Sequence, residues 1–158
     1  MDRCALAYQY HKQGYSCAQS VAGAFADLLA WEPEQVFAAA GGFGGGVGGS
    51  HAELCGAISG GLLVLGLLFP HTRGEDKPAK REVYALARQF RRRFFEMFGD
   101  TRCGDLLRAR PGVSGKTAAA VRLGITAHCD IMVVTAVELL EELLEETRRQ
   151  VAAKEENG

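Results

Sequence analysis

No Cys-x-x-Cys pair occurs in the chain, which removes the zinc ribbon and the thioredoxin-type redox motif together. Cys-x-x-Cys-His is missing too, so covalent c-type haem attachment is excluded. Neither sign of charge is in excess: 18 Lys and Arg against 19 Asp and Glu leave a net charge of −1. No general attraction to nucleic acid or to an anionic membrane is therefore expected. The most apolar run, residues 54–69, falls short of the roughly 20 residues a membrane helix needs. It also carries Cys55, Ser59 and four glycines, and reads as a buried core helix without membrane insertion. Met1-Asp2-Arg3-Cys4 lacks the basic-then-apolar layout of a secretory signal. The expectation is a cytoplasmic protein, where thiols are kept reduced.

Prolines number only four, and no segment alternates polar and apolar residues at the period of a strand. With 47% hydrophobic and 23% charged residues, the 158-residue chain is long enough to bury a core without staples. The reading is all-α: a compact multi-helix bundle with a glycine-rich loop, one domain over residues 1–158. A short helix is expected over 2–13, ending at Gly14. Ser16 caps the next helix, with Gln19 completing a capping box and Val21, Phe25, Leu28 and Leu29 at helical spacing. Pro33 suits the first turn of a helix over 34–40. An amphipathic helix follows Pro78, with Val83, Leu86, Phe90, Phe94, Met97 and Phe98 facing inward, and stops at Gly99. Cys103 to Leu107 is a short helical turn, 110–115 a loop and 116–123 another short helix. The last helix begins near Thr126, at about residue 127, and runs to about Lys154, with Val133, Val137, Leu140, Leu144 and Val151 buried.

Twenty glycines are present, and seven of them fall within residues 41–49. GGFGGGVGG resists helix and strand alike on entropic grounds, so it is a loop. Ser50 and Glu53 form a second capping box, predicted to open the helix that runs to Phe69. Gly44, Gly46 and Gly49 match G-x-G-x-x-G, but a dinucleotide site needs a preceding strand, and residues 34–40 read as helix. A backbone nest for an anion, or for the sulfides of a cluster, is the preferred reading. Gly44, Gly45, Gly46 and Gly48 are its candidate cofactor-binding residues; the plain alternative is a loop packed tightly on Cys55. Residues 110–117 imitate a phosphate-binding loop, yet Arg110 stands where the first glycine belongs.

Five cysteines are too few for a disulfide scaffold and odd in number. Four of them lie at expected helix starts: Cys17 after the Ser16 cap, Cys55 within two turns of Ser50, Cys103 after Asp100 and Thr101, and Cys129 within a turn of Thr126. Unpaired N–H groups and the helix dipole stabilise a thiolate there, and Cys17, nearest its cap, is expected to ionise first. The bland reading is that a free cysteine is a small buried hydrophobe. His51 and His128 each lie beside a motif cysteine and could ligate metal or take a thiol proton, or could simply be solvated. Arg91, Arg92 and Arg93 read as an exposed helix face.

Tyr15-Ser16-Cys17-Ala18-Gln19-Ser20, the glycines of 42–49, Cys55-Gly56-Ala57-Ile58-Ser59-Gly60, Phe98-Gly99, Cys103, Leu106-Leu107 and Cys129 occur in that order. The ordered set resembles the redox-active proteins named for four cysteines and a CGAxxG motif, the C_GCAxxG_C_C family. It covers a motif-bearing core of about residues 5–140. That family usually places Asn before its first cysteine, where Ser16 is an equally good cap; Cys4 lies outside the pattern.

The resemblance implies a small helical redox protein with Cys17, Cys55, Cys103 and Cys129 as its reactive residues. Two chemistries remain open. Two dithiol–disulfide pairs would carry electrons or sulfur for a redox partner without a cofactor. Alternatively, the same four residues as metal ligands would hold a metal ion or an iron–sulfur cluster. A third reading is a helical interaction module with structural cysteines. There the paired leucines at 139–140 and 143–144 would form a homodimer through the last helix.

Overall fold

The first half of the last helix lies at the centre of the fold. Every residue from Asp130 to Val137 is buried, which requires neighbours on all sides of the helix rather than along one stripe. The computed structural model describes residues 1–111 and 117–158, and eight α-helices run through those residues. They are α1 (Arg3–Lys12), α2 (Cys17–Gly23), α3 (Pro33–Ala40), α4 (Gly56–Leu68), α5 (Lys77–Phe98), α6 (Cys103–Ala109), α7 (Ala118–Arg122) and α8 (His128–Asn157). The described residues contain no strand, only an isolated antiparallel bridge between Leu54 and Arg102. No helix among them is long and apolar enough to cross a membrane.

α1, α2, α4 and α5 all pack against α8. α5 contributes Leu86, Phe90, Phe94 and Phe98 as its buried stripe. Phe90 and Phe94 are fully enclosed, and each such ring contributes about 1.5–3 kcal/mol. Beyond Leu143 the central helix leaves the core, and residues 148–158 are exposed. Arg93 binds Glu146 (2.6 Å), tying α5 to that emerging stretch, so one of the three arginines is an inter-helix tie rather than a free surface charge.

Several expected boundaries moved. α2 stops at Gly23 and a 3-10 turn over Ala26–Leu28 follows, leaving Phe25 buried and Leu28 exposed. A Cβ on Gly23 would stand 2.4 Å from the Phe37 ring, so the helix–ring contact depends on the glycine. Met97 and Val151 face solvent instead of the core. Leu139, Leu140 and Leu143 are buried by this chain's own helices. Leu144, the fourth of these leucines, is half-buried. The loop expected over 110–115 and the phosphate-loop imitation over 110–117 lie largely outside the described residues.

The largest change is at the glycine loop. Residues 41–43 continue α3 as a 3-10 turn, and then Gly45, Gly46, Val47, Gly48 and Gly49 all take positive φ. L-residues visit that region singly, so a run of five requires glycine at nearly every place. Ser50 does not cap a helix. Its hydroxyl donates to the Gly46 carbonyl (2.8 Å) and accepts from Ala52 N–H (3.2 Å), while His51 follows at φ +60°. The chain then runs to Cys55, and α4 opens only at Gly56.

Candidate functional site

The bridge builds one half of the site. Cys55 N–H donates to the Thr101 carbonyl (2.8 Å) and Cys103 N–H to the Glu53 carbonyl (2.9 Å), on either side of the Leu54–Arg102 pair. Cys55 and Cys103 are thus diagonal neighbours on one face of the pairing. Each also sits at the mouth of a helix: Cys55 is the N-cap of α4, and Cys103 is the first residue of α6. Gly104 N–H donates to the His51 carbonyl (2.8 Å), and His51 Nδ1 lies 3.3 Å from Cys103 Sγ. Gly46 makes this closeness possible. A Cβ there would stand 2.5 Å from Cys103 Cβ and 2.9 Å from His51 Cα.

The other half comes from α2 and α8. Ser16 and Gln19 complete the expected capping box, which fixes Cys17 as the first residue of α2. Cys129 is the second residue of α8, and an S–H···S interaction links its ionisation to that of Cys17. Gly56 brings the two halves together, since a Cβ on it would meet Cys17 Cβ and the Phe43 carbonyl at 3.2 and 3.3 Å. Gly44 packs in the same way on Ser16, with 2.4 Å to its Cβ. Of the four candidate glycines, Gly44 and Gly46 are buried against the cysteine segments, Gly45 is half-buried and Gly48 is exposed.

Electrostatics follow from burial and from this one hydrogen bond. Cys17 is pushed far up, first because it donates to Cys129 and then because it is enclosed. Accepting that bond holds Cys129 down at about 7, with Arg110 helping against burial and the Asp130 charge. Cys55 is pushed up to about 12 by burial, although Ala57 and Ile58 N–H groups at the helix mouth pull the other way. Cys103 is raised by burial and by Cys129. The expectation was that at least one thiol at a helix start ionises readily, with Cys17 the first; the thiol held down is Cys129 instead, and at Cys55 and Cys103 desolvation outweighs the helix terminus.

The Cys129 charge reaches Cys17, Cys55 and Cys103, and the Cys103 charge reaches Cys17 and Cys55. Cys4 senses none of them; its thiol faces the Val134 carbonyl and Glu141, and burial raises it to about 12. Among the described residues no group of three or more His, Cys, Asp or Glu side chains is placed to hold a metal ion. The ligand set for a metal or cluster therefore has no geometry behind it.

Two residues beside the thiols were not singled out from sequence. His11, at the end of α1, puts Nε2 at 3.8 Å from Cys17 Sγ, and its Nδ1 is hydrogen-bonded to Asp130 of α8. Lys12 Nζ holds the other Asp130 oxygen at 2.7 Å. The only local signal was an aspartate directly after a motif cysteine. His128, read as solvated, is buried, and its Nδ1 has no hydrogen-bond partner. Burial, then Arg110, lowers its pKa. His51 is exposed, as a solvated residue would be, but it touches Cys103.

An all-helical protein with cysteines at the starts of its helices is the class defined by this fold. The chain belongs to the C_GCAxxG_C_C family: the family model described as "Putative redox-active protein (C_GCAxxG_C_C)" matches residues 15–143. No curated protein and no solved structure matches the chain.

Proposed function

We propose that this protein is a thiol–disulfide carrier whose working pair is Cys17 and Cys129. The observation that carries the reading is the opposite shift of the two interacting thiols, Cys17 pushed up and Cys129 held down at about 7, at the adjoining starts of α2 and α8. An attacking thiol is most effective when its pKa lies near ambient pH. Cys129 thiolate attacks one sulfur of a partner disulfide; a mixed disulfide forms and the partner's other sulfur leaves as a thiolate. Cys17 then gives up its proton and attacks Cys129 Sγ, which releases the second partner thiolate. The partner disulfide is reduced by two electrons and the Cys17–Cys129 pair is oxidised by two. Cys55 and Cys103, on one face of the bridge, are the second dithiol to which the oxidising equivalents can pass.

Oxidised glutathione added to the reduced full chain tests this. Acid quenching and peptide mass should reveal a Cys17–Cys129 cross-link with the loss of two hydrogens. A protein that stops at mixed disulfides, or that stays fully reduced, would refute the pairing.

A further inference from the structure

Closing a disulfide requires the second thiol to lose its proton, and in the resting protein the interaction with Cys129 and burial keep Cys17 protonated. Once Cys129 Sγ is bonded to a partner sulfur, it carries no charge and is a poor acceptor. The nearest base left to Cys17 is then His11, whose Nε2 is 3.8 Å from the sulfur. Its orientation is fixed from behind. Asp130 is buried to 3% exposure; one carboxylate oxygen accepts from His11 Nδ1–H and the other is held by Lys12 Nζ at 2.7 Å. Donation through Nδ1 leaves the Nε2 lone pair facing the thiol.

We propose that His11 takes the proton from Cys17 when that thiol closes the disulfide with Cys129, and that Asp130 is the positioning residue that fixes the imidazole. The proposal rests on the thiol–disulfide reading and adds the proton path. Cys17 S–H transfers its proton to His11 Nε2. The Cys17–Cys129 S–S bond then forms as the bond from Cys129 to the partner sulfur breaks, and the electron pair leaves with that sulfur. The imidazolium formed lies against the Asp130 carboxylate, which stabilises it as a buried carboxylate does in a serine-protease triad. On reduction of the pair, His11 returns the proton to Cys17.

The groups around Cys17 come from five helices. α1 supplies His11 and Lys12, and α8 supplies Asp130 and Cys129. Cys55 and Cys103 approach from the mouths of α4 and α6. α2 itself, CAQSVAG, brings no other titratable side chain. His11 is therefore the only imidazole among the groups described around this thiol, the Lys12 amine being held as an ammonium on Asp130.

The experiment follows the full chain reacting with oxidised glutathione at pH 6–9. Acid quenching separates the mixed disulfide at Cys129 from the closed pair by mass. In His11→Gln, formation of the mixed disulfide should stay within about twofold of wild type, while closure at pH 7 slows on the order of a hundredfold. The deficit should shrink with rising pH only above the ordinary thiol value of about 8.5, because burial still holds Cys17 up, and free imidazole in the buffer should restore part of the rate. Asp130→Asn should slow closure in the same direction by about tenfold, and it carries the same test should His11→Gln not fold. A wild-type closure rate and pH profile in these variants overturns the proton path alone. Absence of the Cys17–Cys129 disulfide in the wild-type protein overturns the pair, and the proton path with it.

Discussion

Replacing Cys17 with alanine should move the ionisation of a different cysteine. Cys129 is held at about 7 chiefly by the bond it accepts from Cys17. At pH 7 that leaves about half of it as thiolate, against about 3% for an ordinary thiol near 8.5. A less basic thiolate is also a weaker nucleophile, by about four- to sixfold for this difference. The net expectation is that Cys129 is alkylated about threefold faster than an ordinary thiol at pH 7. A hydrogen bond to a charged group contributes about 1.5–3 kcal/mol, or about one to two pKa units. Without it, burial and the Asp130 charge act against Arg110 alone. The Cys129 midpoint should then rise to about 8–9, by the same conversion. The assay is the rate of alkylation against pH, read at the Cys129 peptide by mass, with circular dichroism to verify the fold. A Cys17→Ala protein in which Cys129 still titrates at about 7 would refute the reasoning and transfer the cause to Arg110 and the helix terminus.

Three further outcomes are expected. Gly60→Ala places a Cβ 2.5 Å from the Ala18 carbonyl oxygen, where backbone must move, whereas Gly66 on the same helix has nothing within 4 Å. Overpacking of about 1–3 kcal/mol should exceed the helix-propensity gain in the first variant, while the second gains about 0.5–1 kcal/mol; urea midpoints shifting the same way in both would sink this. Gly46→Ala, at φ +69° and 2.5 Å from Cys103 Cβ, should destabilise by about 1–3 kcal/mol and speed alkylation of Cys103, while Gly48→Ala, open around its Cβ, leaves Cys103 unchanged.

The third concerns alkaline pH. Cys55 is raised to about 12 by burial, so its contribution is intact below the ordinary thiol value. It is lost as pH climbs from about 8.5 toward 12, because the unfolded chain ionises first. Urea midpoints should fall over pH 8.5–10.5, and Cys55→Ala should flatten that slope by at most about 1.4 kcal/mol per pH unit; an unchanged slope counts against a buried neutral thiol.

What the sequence determined was everything that rests on neighbours within a turn or two. Ser16 and Gln19 mark the start of α2 because a capping box is a local exchange of hydrogen bonds, and Cys17 follows at the first helical position. The inward stripe Leu86, Phe90, Phe94 and Phe98 was legible because a single helix face repeats at a fixed period. The same local logic failed at Ser50. Its side chain had a carbonyl of the glycine loop to bind, and residues 53–55 had residues 101–103 to pair with. Helix propensity is worth tenths of a kcal/mol per residue and yields to such contacts.

The site itself belongs to the tertiary structure. Helix starts suggested which cysteines could ionise, but burial and the interaction of Cys17 with Cys129 push Cys17 up and hold Cys129 down. His11, in the helix before Cys17, and Asp130, far along the chain, meet only because α1 and α8 pack together. Periodicity and capping report on a residue's own helix, whereas a thiol's ionisation is set by whichever groups the fold brings within a few ångströms of its sulfur.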